Sequence, residues 1–234
     1  MSVLKGAGQL VDPVTASVDM TVDERAAAHM AASILLDYPD AGRRASFPAV
    51  AAVIASLPDP IRDAFAAFLE EVEPLGQHAL EAHFTSIFDL KRKCCPYLSY
   101  YAAGDTRRRG MALVRFVEAY RAAGWEVDAD ELPDYLPMVL EFSARSDSPI
   151  ALELLAAHRD GIEVLRVALE TFESPYAHVV RAVALSLPEI DAQTLQHYRR
   201  LITEGPPVET VGLNFLGTLK PFAPRGASSE EISA

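Results

Sequence analysis

The stretch TVDERAAAHMAASILLDYP, residues 21–39, decides how the chain reads. Thr21 and Glu24 fit a capping box, in which a Thr hydroxyl accepts from a backbone amide and a Glu carboxylate reaches back to the cap. Ala27, Met30, Ala31, Ile34 and Leu35 then recur at the spacing that lines one helix face, and Pro39 stops the run. The same grammar repeats outward from there. Phe47–Leu57 reads as a second helix with Pro48 in its first turn. Asp59-Pro60 opens a third, with Ile61, Phe65, Phe68, Leu69 and Val72 on one face. Residues 76–88 give a fourth, through Leu80, Phe84, Ile87 and Phe88. Leu113, Phe116, Val117 and Tyr120 mark a fifth, which Gly124 ends. Asp134 opens the next, through Leu136, Val139, Leu140 and Phe142. Ser148-Pro149 opens another, which breaks or bends near Gly161 and resumes with Ile162, Leu165, Leu169 and Phe172. Ser174-Pro175 and Asp191 each open one more. No strand alternation lasts five residues before the C-terminal stretch, and no repeat of solenoid period is present. The expectation is an all-α protein: one helical-bundle domain of about eight to ten helices.

Composition bounds the rest. The chain has 234 residues, half of them apolar, which is enough to bury a full core. Its net charge is -12. That argues against a general nucleic-acid binder, which needs a basic surface, and against anionic membranes. No apolar run approaches the ~20 residues that span a bilayer. Residues 1–20 lack the apolar core of a secretory signal and read as a flexible N-terminus. The helical domain is expected over 21–204. From Gly205 onward Gly, Pro, Ser and Thr dominate, so 205–234 reads as a largely disordered tail. A short strand or a docked segment is the alternative, because the tail holds Leu213, Phe215, Leu216, Leu219 and Phe222. Two adjacent cysteines and no framework of pairs indicate a reducing compartment, the cytoplasm.

Signals of catalysis are poor. There is no glycine-rich phosphate loop, no His-Glu-x-x-His and no nucleophile elbow. The six histidines are scattered over separate helices. Cys94 and Cys95 supply two soft ligands, whereas a structural zinc site needs four. They read as plain thiols, and neither a metal nor a cofactor is expected. One segment stands apart. Residues 91–110 hold Lys91, Arg92, Lys93, Arg107, Arg108 and Arg109 against Asp105 alone, a local charge of +5, so the remainder carries -17. Three arginines in a helix's first turn oppose the helix dipole, at roughly 0.3–1 kcal/mol each when exposed. Pairing with acidic side chains, contact with a ligand or client protein, or solvation would each compensate. Tyr97, Tyr100 and Tyr101 border the island, either packing the loop or offering rigid apolar area with a polar tip to a peptide.

Two stretches go beyond composition. One runs from Phe88-Asp89-Leu90 to Tyr101 and on through Gly104-Asp105-Thr106-Arg107-Arg108-Arg109-Gly110-Met111-Ala112-Leu113. The other runs from Tyr120 to Gly124, then Asp130-Glu131-Leu132-Pro133-Asp134-Tyr135-Leu136-Pro137 and Leu140-Glu141-Phe142. Together they resemble the delta-subunit chaperones of respiratory nitrate reductase, the NarJ branch of the NarJ/TorD family. Leu35-Leu36-Asp37-Tyr38-Pro39 resembles the ending of that family's first helix. The resemblance covers roughly residues 25–200 and excludes the tail.

It implies the helical bundle of these chaperones and no catalysis. It implies a partner: the catalytic (alpha) subunit of nitrate reductase, bound transiently and including its N-terminal segment, and held competent for molybdenum cofactor insertion and assembly. It places client-contacting or groove-shaping positions over Gly104–Leu113 and Glu131–Pro137, with Asp105, Arg107, Arg108, Arg109, Glu131, Asp134 and Tyr135 the candidates there; the aromatic–basic reading adds Tyr97, Tyr100 and Tyr101 as client-contact candidates. Other branches start the first motif with a His, where this chain has Pro96-Tyr97-Leu98-Ser99-Tyr100, so positions are implied rather than individual roles. A different molybdoenzyme as client, of the N- or S-oxide reductase type, is the nearest alternative. A helical regulator binding a small molecule or nucleotide is the alternative of another class. A homodimer by helix exchange stays open.

Overall fold

The computed structural model describes residues 14–127 and 131–189, with Gln196, Arg200, Leu201, Glu204 and Pro207 beyond them. Among the described residues the chain is helical, with eleven α-helices and one 3-10 turn at Arg92–Cys94. The helices are α1 (Val22–Leu36), α2 (Ala41–Ala45), α3 (Phe47–Ile54), α4 (Asp59–Val72), α5 (Gln77–Phe88), α6 (Leu98–Ala103), α7 (Arg108–Ala122), α8 (Leu136–Arg145), α9 (Pro149–Ala156), α10 (Arg159–Thr171) and α11 (Tyr176–Ser186).

Local chemistry starts and stops these helices. At α1 the capping box is complete: Glu24 N donates to Thr21 Oγ1 at 3.2 Å, and Thr21 N donates to Glu24 Oε2 at 2.8 Å. Proline sits in the first turn of α3, α4, α8 and α9, where its missing N–H has no helical partner to lose. Gly124, at φ +80°, ends α7 while Trp125 N donates back to Tyr120 O at 2.9 Å.

The core lies where α1 packs along α8, α11 and α3, and where α11 packs against α4 and α10. Tyr176 is buried in an aromatic cluster, with the rings of Phe68, Phe84 and Phe88 at 5.1, 5.6 and 5.1 Å. His29 is fully buried and joins three helices: its ring nitrogens lie 2.9 Å from Ser143 Oγ on α8 and 2.9 Å from Ser186 Oγ on α11. Burial pushes its pKa down to about 3, so it is neutral at physiological pH.

Five sequence expectations change. The break between α9 and α10 falls at Ala157-His158, and Gly161 lies inside α10. A Cβ at Gly161 would sit 2.9 Å from the Tyr101 side chain, so this glycine serves a helix contact and not a bend. Asp134 does not cap α8, whose N-cap is Tyr135. Residues 98–103, which lack helical periodicity, are helical nonetheless, and α2 was likewise not expected. The flexible N-terminus expected over 1–20 is corrected over 14–20. Thr15 N and Oγ1 donate to the buried Glu163 at 3.0 and 3.2 Å, and Arg159 reaches Thr15 O at 2.6 Å and Ser17 Oγ at 3.0 Å. The helix expected from Asp191 falls mostly outside the described residues, as do residues 1–13 and nearly all of the expected tail.

Candidate functional site

The two sequence stretches that stand out meet at one place. Residues 96–98 and 134–136 form a short antiparallel bridge: Leu98 N donates to Asp134 O at 3.0 Å, and Leu136 N donates to Pro96 O at 2.8 Å. The bridge ties the start of α6 to the start of α8. Asp134 lies under it with no solvent exposure, and its Oδ2 accepts from Ser99 N at 3.1 Å and Ser99 Oγ at 2.5 Å. A carboxylate at the first turn of α6 satisfies amides that the helix cannot and meets the positive end of its dipole. Arg109 approaches from α7. Its Nε donates to Ser99 Oγ at 3.3 Å, and its terminal nitrogens stand 4.0 Å from Asp134 Oδ2 and 3.9 Å from Asp105 Oδ1. Arg92 closes the other side, with Nη2 2.7 Å from Asp105 Oδ2 and Nε donating to Tyr100 OH at 2.9 Å.

Aromatic rings fill the space between these charges. The Tyr97 and Tyr135 rings are 5.4 Å apart, and the Arg109 guanidinium lies 5.5 Å over Tyr97. Tyr97 OH donates to Glu131 Oε1 at 2.9 Å. Tyr135 OH donates at 3.3 Å to Asp37 Oδ1 at the end of α1, and the other Asp37 oxygen pairs with Arg43. Desolvation raises the pKa of both hydroxyls, and Glu131 and Asp37 add to the rise. Tyr101 points inward, donating to Cys95 O at 2.9 Å with its ring against Gly161. Burial pushes the Cys94 thiol up to about 11 and raises that of Cys95. Both thiols therefore stay protonated at neutral pH, unlike an activated cysteine. Among the described residues no three His, Cys, Asp or Glu side chains are grouped to hold a metal ion. No helix among them is long and apolar enough to cross a membrane.

All ten residues singled out in the sequence fall in this region, but in two layers. Asp105, Arg107, Arg108 and Glu131 are exposed, and Tyr97, Arg109 and Tyr135 are half-buried. Tyr100, Tyr101 and Asp134 are buried. Burial leaves those three the groove-shaping part of the expectation and not the contacting part. Sequence reasoning missed Ser99, whose hydroxyl links Asp134 to Arg109, and Asp37, which comes from α1. Met111, within the stretch the resemblance singles out, and Val114, just beyond it, are 65% and 49% exposed on α7 and form an apolar face beside these residues. Arg108, Met111, Val114, Arg115 and Glu118 occupy the solvent side of that helix. Away from this region, an apolar groove of about 160 Å³ lies between α1 and α3 and is lined by Ala27, Met30, Ile34, Ala49 and Val53.

Comparison with known proteins matches residues 54–182 to the family model described as nitrate reductase delta subunit. The chain is 34% identical over 152 residues to the nitrate reductase-like protein NarX of Mycobacterium tuberculosis (strain ATCC 25618 / H37Rv). That match spans 65% of this chain and 23% of the mycobacterial protein. It is 31% identical over 172 residues to the probable nitrate reductase molybdenum cofactor assembly chaperone NarJ of Bacillus subtilis (strain 168), spanning 73% of this chain and 94% of that protein. The fold is that of a crystal structure from Archaeoglobus fulgidus described as a candidate redox enzyme maturation protein. The TM-score is 0.52 at 23% identity, over 71% of this chain and 94% of the other.

Proposed function

The chain belongs to the nitrate reductase delta-subunit family, and from that premise we propose that it is a dedicated assembly chaperone for respiratory nitrate reductase. In this reading it binds the catalytic alpha subunit, including its N-terminal segment, in the cytoplasm. It keeps that subunit competent for molybdenum cofactor insertion and then releases it. It is not an enzyme.

One observation supports this most: two stretches more than twenty residues apart are locked by Asp134 and Ser99 into one platform that offers contact groups and no reactive ones. Half-buried Tyr97 and Tyr135 present apolar area at small entropic cost. Arg107, Arg108 and Glu131 form a charged rim that sets orientation. The hydroxyls and thiols nearby have raised pKa values, the opposite of an activated nucleophile or general base. Met111 and Val114 continue the surface as apolar positions suited to an amphipathic client helix.

Titration calorimetry with a peptide of the alpha subunit's first 25 or so residues tests the site. Arg107→Glu with Arg108→Glu should weaken binding about tenfold while the circular dichroism spectrum stays unchanged. Equal affinity in the double variant would remove the rim from the site. Affinity purification from cells respiring nitrate tests the client: recovery of another molybdoenzyme in place of the alpha subunit would keep the mechanism and change the partner.

A further inference from the structure

Helix α7 keeps most of its surface for solvent. Phe116 and Tyr120 are its buried residues, and it packs chiefly against α6 and α9. Met111, Val114, Arg115, Glu118 and Arg121 are all exposed and follow the helical spacing along its outer face.

The cations on that face differ from the others in the chain. Arg43, Arg62, Arg92, Arg145, Arg159 and Arg166 each pair with a carboxylate. Arg108, Arg115 and Arg121 have no ion pair and no side-chain hydrogen bond among the described residues, although Glu118 stands three positions from both Arg115 and Arg121. Residues 107–122 hold five arginines against Glu118, a net charge of +4, so the remainder of a chain of -12 carries -16. Gly110 adds an independent feature. It lies inside α7, exposed, where glycine costs helix stability relative to alanine, yet no described residue would meet a Cβ there. Glycine on an exposed helix face lets another backbone approach closely.

We propose that this face binds an acidic amphipathic helix of the client protein, laid along α7 with its carboxylates on Arg108, Arg115 and Arg121 and its apolar side chains on Met111 and Val114. The inference rests on the chaperone reading, under which the client supplies that helix. Three features select this occupant. Guanidinium groups bind carboxylates with two parallel hydrogen bonds, and these three have their terminal donors to give. Spacing selects a helix: the distance along α7 is about 10 Å from Arg108 to Arg115 and about 9 Å from Arg115 to Arg121, which acidic residues two turns apart on a second helix reproduce. The whole face is about 20 Å long, which a partner of about 14 residues covers. Net charge selects the place: the acidic remainder of the chain repels such a helix elsewhere and steers it to α7. The contact extends beyond the tyrosine platform down to Arg121, so it gives the chaperone a second grip on the client, one that salt weakens.

The full-length alpha subunit without its cofactor, captured by the full chain on a biosensor, tests the inference. Arg115→Glu with Arg121→Glu should weaken capture about tenfold in about 50 mM NaCl and less than about threefold in about 500 mM, with the circular dichroism spectrum unchanged. Gly110→Leu should weaken capture at least about fivefold while raising the urea midpoint, because it removes a glycine from a helix interior. That combination separates a lost contact from a lost fold. A photo-crosslinking benzoylphenylalanine in place of Val114 should mark one alpha-subunit segment of net negative charge. Changing the acidic residues of that segment to lysine should restore capture by the Arg115→Glu, Arg121→Glu chain. Undiminished capture by the double variant at low salt, or a crosslink to a neutral or basic segment, overturns the acidic helix and leaves the client reading standing. A natural chain that captures no alpha subunit removes the client reading and this inference with it.

Discussion

Asp134 shows how much one side chain can hold. It is fully buried, accepts from the backbone and hydroxyl of Ser99, and stands 4.0 Å from Arg109. Its replacement strands a helix amide and a hydroxyl that have no water to turn to. Asp134→Ala should lower stability by about 2–3 kcal/mol, measured as a fall in urea midpoint. It should also weaken the client peptide, because Tyr97 and Arg109 lose their support. His29 makes the same point with a proton. Its folded pKa is about 3 against 6.5 in the unfolded chain. Between those values the unfolded state binds more protons, so stability from this group is complete above pH 6.5 and declines as pH falls toward 3, by up to about 1.4 kcal/mol per pH unit. His29→Gln can keep contact with Ser143 and Ser186 without titrating. Plots of urea midpoint against pH should therefore be shallower for the variant between pH 6 and 4. Parallel plots would exclude His29 from the acid limb.

At the scale of elements, α10 acts as a clamp. Arg159 is 1% exposed and donates to Thr15 O, Ser17 Oγ and Leu187 O, and contacts Pro188 O. Glu163, with no exposure, accepts from Thr15 and pairs with Arg166 at 2.8 Å. The pair fastens residues 14–18 and the end of α11 to one helix. Removing Arg159 takes the donor from the carbonyls of Thr15, Leu187 and Pro188, while Glu163 keeps Arg166, and costs about 1–3 kcal/mol. Arg159→Met should show that loss in thermal unfolding and should speed proteolytic cutting near residues 14–20. Unchanged cutting would mean that the segment is held by Val14, Val18 and Met20 against the core alone. The helices of the site differ from this clamp. Only Phe116 and Tyr120 of α7 are buried, which leaves most of that helix's surface available for contact.

Across the molecule the buried residues form one cluster running from Ala28 to Leu201. A continuous core predicts one cooperative unit. Phe65→Ala, at a position with no exposure, should cost about 3–5 kcal/mol and shift circular dichroism and aromatic fluorescence transitions together. Separated transitions would divide the bundle. Charge is distributed on the same scale: +5 over residues 91–110 within a chain of -12. The island is partly compensated from within, through Arg92 and Arg109 on Asp105 and through Arg109 beside Asp134.

The sequence by itself determined what local physics decides. The capping box at Thr21, proline in first turns, the stop at Gly124 and the 3.6-residue stripes fixed an all-helical chain and most helix starts, because caps and amphipathic faces act within four residues. The two motif stretches were legible as well, and the structure brings the ten positions named in them and beside them into one region. The tertiary structure alone decided what depends on distant partners. Asp134 looked like a cap for its own helix and caps α6 instead, since the bridge at Tyr97 and Tyr135 brings that helix closer. Gly161 looked like a break and is a seat for Tyr101. Leu98–Ala103 carries no periodicity because it is buried on nearly every side, so there was no polar face to read. Which tyrosines face solvent follows from packing between segments dozens of residues apart. No window of sequence spans such a distance.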